Sequence, residues 1–91
     1  MLSCRLTILN PLGLHARAAA RFVHAASQFQ SHVRVACGGR EIDGKSIMGL
    51  LLLAAAQGRS ITITADGPDE GPAIDTLRGL VDRGFDEVPC A

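Results

Sequence analysis

Three side chains in this sequence have the types and settings for phosphoryl chemistry: His15, Arg17 and Ser46. His15 stands in Gly13-Leu14-His15-Ala16-Arg17, where a loop begun by Asn10-Pro11 gives way to an alanine-rich helical stretch. A helix start presents N–H groups without intrahelical partners and the positive end of the macrodipole, so an anion is stabilised there. Neutral imidazole is a competent nucleophile, and guanidinium is the side chain best shaped to hold phosphate. His is a poor choice for a mere helix cap, because Ser, Thr, Asp and Asn cap better. Arg17 in the first turn opposes the dipole, at a cost of up to about 1 kcal/mol, unless an anion is bound beside it. The segment reads as a phosphoryl-accepting histidine with an arginine to steady the phosphoryl oxygens.

Ser46 follows Gly44-Lys45 at a second helix start, where it suits the N-cap. A regulatory phosphate on the same hydroxyl would gain from the helix dipole without melting the helix. Its charge would then act on partners, by repelling an acidic docking surface. The helix after it carries Ile47, Met48, Leu50, Leu51, Leu52 and Leu53 all round its cylinder, more than one buried stripe requires. Part of that surface is expected to be exposed as a partner site, with Met48 its adaptable element. The expected docking face comprises Leu14, Ala16, Ala20, His24, Lys45, Ile47, Met48 and Leu51. Gly13 serves either the turn itself or the close approach of a partner to His15, while Asn10 and Pro11 shape the loop. His24 and His32 do not stand at metal-ligand spacing with His15 or the cysteines, so neither a metal site nor a cofactor is expected.

The elements that must position these groups follow from hydrophobic period. Leu2, Cys4, Leu6 and Ile8 alternate with polar residues as in a half-buried strand, which Asn10-Pro11 ends. Ala19, Phe22, Val23 and Ala26 mark one face of a helix from about His15 to Ser27. Val33, Val35 and Cys37 alternate again, Gly38-Gly39 makes a tight turn, and Arg40 to Asp43 returns as the partner strand. The second helix is predicted from Ile47 to about Ala56, with Gly58 as its stop signal. Ile61, Ile63 and Ala65 form a fourth strand, closed by Asp66-Gly67-Pro68. A last helix follows, with Asp69 or Glu70 favouring its start, Pro72 in its first turn, and Ile74, Leu77, Leu80 and Val81 as its buried stripe. The order is βαββαβα in a single domain spanning 1–91. Four half-buried strands need cover on one face, and three amphipathic helices provide it, which is a two-layer sandwich of class α+β with a four-stranded antiparallel sheet.

Ninety-one residues support one modest core and no separate catalytic domain around a cleft. Function must lie on the surface, and the chain is not expected to be an enzyme. A net charge of zero and the absence of Trp and Tyr disfavour nucleic acid and anionic membrane as partners. The longest apolar run, Ile47 to Ala56, is about half of the roughly 20 residues that a membrane helix requires. The three cysteines are odd in number and far apart, which suggests neither a disulfide framework nor a zinc knuckle. Cys4 and Cys37 are in phase with apolar neighbours and are expected as core filler, and Cys90 as an exposed tail residue. A soluble, monomeric protein of a reducing cytoplasm is the expectation.

Together, Gly13-Leu14-His15-Ala16-Arg17 and Gly44-Lys45-Ser46-Ile47-Met48-Gly49, in this order and separation, resemble the histidine-containing phosphocarrier family HPr of the bacterial phosphoenolpyruvate-dependent phosphotransferase system. The resemblance runs from Leu6 to about Phe85. It implies an open-faced β-sandwich, phosphoryl transfer from enzyme I to Nδ1 of His15, and onward transfer to a histidine of an enzyme II A domain. It also implies phosphorylation of Ser46 by an ATP-dependent HPr kinase/phosphorylase. Most members of the sugar-transport type carry proline where Ala18 stands here. With Ala54-Ala55-Ala56, this looks more like the nitrogen-related proteobacterial branch. A competing expectation from the same apolar helix is a non-phosphorylated module that docks on regulatory proteins.

Overall fold

The computed structural model describes residues 1–86, so Cys90 lies outside the described residues. Strand β1 (Leu2–Thr7) is followed by helix α1 (Ala16–Ala26), the hairpin β2 (His32–Cys37) and β3 (Arg40–Asp43), helix α2 (Ile47–Leu53), strand β4 (Ser60–Asp66) and helix α3 (Glu70–Asp82). A short 3-10 turn, Gly84–Asp86, follows α3. The sheet order is β1-β4-β2-β3 and every pairing is antiparallel. The helices lie on one face, over a core that includes Phe22, Val33, Val35, Leu50, Ile61, Ile63 and Leu77. The other face is polar, with Ser3 and Thr64 hydroxyls 3.2 Å apart across β1 and β4. This is the two-layer α+β sandwich expected from the alternation, with the open face that the resemblance implies.

Several local outcomes follow directly from residue type. Cys37 pairs with Arg40, so Gly38-Gly39 is a two-residue hairpin turn, and φ values of 59° and 82° explain why both positions are glycine. Cys37 is buried and Cys4 half-buried, in the filler role read from their phase. Leu2 departs from its expected burial, because it sits at the outer end of an edge strand and remains exposed. Asp69 precedes α3 but makes no side-chain cap there. Its carboxylate instead accepts from Gln30 N and Ser31 N, each at 2.9 Å, and from the Ser31 hydroxyl. Those bonds, that from Ser31 Oγ first, hold its carboxyl below the usual carboxylate range. Glu70 does occupy the first turn, where it pairs with the N-terminal amine at 2.8 Å.

Helix α2 ends earlier than its alanines suggest. Ala54 adopts the left-handed conformation, φ 50° and ψ 39°, in place of the predicted continuation to Ala56 and the Gly58 stop. A left-handed non-glycine residue costs about 1–2 kcal/mol, so a tertiary contact must outweigh both that cost and alanine's helix propensity. The contact is with Ala55, which is buried and turns its carbonyl toward Leu14 N at 2.9 Å. Helix length is therefore set by the loop that carries His15. Among the described residues no helix is long and apolar enough to cross a membrane.

Candidate functional site at the first helix start

The loop between β1 and α1 is fastened internally and to the segment after α2. Asn10, only 3% exposed, donates from Nδ2 to Gly13 O at 2.7 Å, while Gly13 N donates to Asn10 O at 3.1 Å. Gly13 has φ +65°, and a Cβ there would lie 2.4 Å from Ala55 O. Its bareness therefore serves the fit of the turn against Ala55, and since Gly13 is buried, the alternative of close approach by a partner is not borne out. Leu14 donates to Ala55 O and is 6% exposed. It anchors the loop in the core and offers almost no surface for docking, which corrects the expectation placed on it. Further lacing comes from Ile8 N to Arg59 O, Gly58 N to Ile8 O, and Gln57 Nε2 to Leu9 O.

That frame sets His15 as the N-cap of α1, with extended backbone at φ −80° and ψ 176°. Its carbonyl accepts from Ala19 N at 2.8 Å, and its Nδ1 accepts from Arg17 N at 3.3 Å. An imidazole nitrogen that accepts a hydrogen bond holds a lone pair, so the neutral ring carries its proton on Nε2, an assignment made from the hydrogen bond. At 3.3 Å the cap bond is long, and a stronger acceptor would displace it at small cost. No acidic side chain occupies the first turn of α1. The half-buried imidazole thus points its lone pair along the positive end of an 11-residue helix, with exposed Arg17 on the same turn.

Ser46 caps α2, its Oγ accepting from Gly49 N at 3.0 Å. Lys45 was expected to contribute a cation to docking. Its ammonium is instead half-buried and donates to Phe29 O at 2.7 Å, so it fastens the α1–β2 connection. Of the apolar residues on α2, Leu50 and Leu53 are buried, Leu51 is half-buried, and Ile47, Met48 and Leu52 are exposed. Met48 at 68% and Leu52 at 60% exposure stand one helical turn apart. Leu52 is more exposed than the half-buried Leu51 that was expected on the docking face, and it lies at i, i+4 from Met48. Leu12, exposed in the His15 loop, was missed because loops carry no period. Ala16, Ala20 and His24 form an exposed strip on α1, which packs against α2.

A small open-faced sandwich that presents a loop-held histidine at a helix start defines a class of carrier domain. Residues 2–83 match the family described as PTS HPr component phosphorylation site. The chain is 47% identical to a phosphocarrier protein HPr of Cupriavidus necator over 87 residues, covering 96% of this chain and 98% of that protein. A phosphocarrier protein NPr of Shewanella violacea is 40% identical, with 92% of each chain covered. A crystal structure of HPr from Thermoanaerobacter tengcongensis superposes with a TM-score of 0.93 at 39% identity, covering 98% of this chain and all of that one. The chain belongs to the HPr family of phosphotransferase-system phosphocarriers.

Proposed function

We propose that this chain accepts a phosphoryl group from phospho-enzyme I on Nδ1 of His15 and passes it to a histidine of an enzyme II A domain. The observation that carries the reading is the Nδ1 lone pair, held toward the first turn of α1 by the bond from Arg17 N. In the transfer, the donor's N–P bond breaks as the Nδ1–P bond forms, while the proton stays on Nε2. The phosphoryl oxygens take over the acceptor role toward Arg17 N, and the helix start stabilises their charge by about 0.5–2 kcal/mol. The Arg17 guanidinium steadies the same oxygens through a loose transition state, where positioning and electrostatics supply the catalysis. An open site suits reversibility, because the group must be handed on.

Docking of both partners is assigned to Ile47, Met48 and Leu52 with the Ala16, Ala20 and His24 strip. Ser46 is the regulatory position: a phosphate from HPr kinase/phosphorylase would stand at the α2 start, two residues before Met48, and place a dianion beside the docking surface. The exposed Met48 and Leu52 also support a second reading, a docking module that acts without phosphorylation. Incubation with enzyme I and labelled phosphoenolpyruvate distinguishes the two. The carrier takes acid-labile label that His15→Ala abolishes, whereas persistence of label in His15→Ala refutes the assignment.

A further inference from the structure

A groove of about 480 Å³ runs between α1 and α3, away from the exposed face of α2. Its α1 wall is Arg17, Ala20, Arg21, His24 and Ala25, spaced so that one helical face supplies all of them. Thr76, Leu80 and Arg83 of α3 form the other wall, and Asp86 closes one end. The closure is built: Arg21 Nη1 donates to the carbonyl of Phe85, a buried residue held at φ 59°, and Arg83 Nε bonds Asp86 at 2.8 Å. Within this wall Arg83 and Asp86 cancel. Arg21 donates to a neutral carbonyl and also lies within the field of Asp86, and Arg17 has no ion pair among the described residues, so three guanidinium groups face one carboxylate and the groove keeps an excess of two positive charges over an alanine and leucine floor.

From this juxtaposition we propose that the α1–α3 groove is a docking site for an acidic peptide segment with an apolar anchor, supplied by a partner protein. The charge complementarity is specific in sign, since no carboxylate other than that of Asp86 lines the groove among the described residues. An extended acidic segment can reach Arg17 and Arg21 from one side while an apolar side chain enters between Ala20, Ala25 and Leu80. Guanidinium favours this pairing, because it binds carboxylates bidentately and is weakly hydrated. A segment seated there shares Arg17, Ala20 and His24 with the phosphoryl site and the docking strip of α1, adds Thr76, Leu80 and Arg83 of α3, and leaves Met48 and Leu52 of α2 uncovered.

The probe is the synthetic hexapeptide Glu-Asp-Leu-Glu-Leu-Asp, titrated into the full 15N-labelled chain at low salt. Saturable amide shifts are expected at Thr76 and Leu80, which the docking strip on α1 and α2 lacks, together with Ala20 and His24, which it shares. Thr76→Glu places a carboxylate in the groove at an exposed helical position that makes no side-chain bond among the described residues, and it should weaken binding about tenfold or more. Arg5→Glu, on the open sheet face, serves as the charge control and should change it little. Unchanged thermal midpoints in both variants keep folding out of the comparison. The proposal is overturned by equal weakening in Arg5→Glu, by shifts centred on Met48 and Leu52, or by no saturable shift. Equal affinity for a peptide with serine at both leucines, or tighter binding of phenyl phosphate to the same residues, overturns it as well.

Discussion

Gly13→Ala tests whether the seat of His15 is a tertiary contact. An added Cβ would stand 2.4 Å from Ala55 O and 2.9 Å from Ala56 Cα, both backbone atoms that no rotamer change can move. The loop must lift by about 1 Å to restore van der Waals distance, which forfeits the Leu14 N to Ala55 O bond of 2.9 Å, about 1 kcal/mol. The left-handed backbone at φ +65° adds about 1–2 kcal/mol for any side chain. Together these predict a loss of about 2–3 kcal/mol, or roughly 10–20 °C in Tm for a domain of this size. Gly39→Ala is the matched control. Gly39 also has a left-handed φ, +82°, but a Cβ there meets nothing within 4 Å, so only the backbone term applies. Thermal unfolding followed by circular dichroism should place Gly13→Ala at least about 4 °C below Gly39→Ala. If the two variants melt together, the press of Gly13 on Ala55 does not hold the loop. The same variant should slow labelling of His15 by enzyme I, since the cap rotates with the loop.

Ser46→Ala removes the acceptor for Gly49 N and should lower stability by about 1 kcal/mol in urea with an unchanged m-value. Asp69→Asn tests the carboxylate that fastens Gln30 and Ser31. The folded pKa of Asp69 lies below its unfolded value near 3.9, so its stabilisation is fully present above that pH and is lost as pH falls through the folded value. The variant should therefore flatten the acid limb of a urea-midpoint profile below about pH 4 and lower the midpoint above it. Met48→Asp, at an exposed position, should leave stability within about 0.5 kcal/mol while weakening enzyme I binding about tenfold or more by calorimetry.

The placement of His15, Arg17 and Ser46 at helix starts was legible in the sequence because helix starts are local events, announced by Gly13-Leu14 and Gly44-Lys45. The sheet and its helical cover were legible for a similar reason: periods of two and near 3.6 follow from which face is buried. What period cannot register is a contact between distant segments. Ala54-Ala55-Ala56 reads as helix by propensity, and only the bond from Leu14 N to Ala55 O explains the left-handed Ala54. Asp69 reads as a helix cap, yet Gln30 and Ser31 claim its carboxylate from across the chain. Lys45 looked free for partners until Phe29 O lay within its reach. The basic groove went unseen because Arg21 and Arg83 come together only when α1 and α3 pack.

The lacing of segment 8–15 to segment 54–59 has a bearing on biosynthesis. A growing chain exposes His15 long before Ala55, Gln57 and Arg59 leave the ribosome, and until then Leu14 N and Ile8 N lack the carbonyls that fix the turn. Strand β4, which holds β1 to the hairpin, emerges later still. The histidine is thus carried by every nascent fragment, but its setting is completed only by the last third of translation. A truncated product inherits the motif and not the contacts that set it.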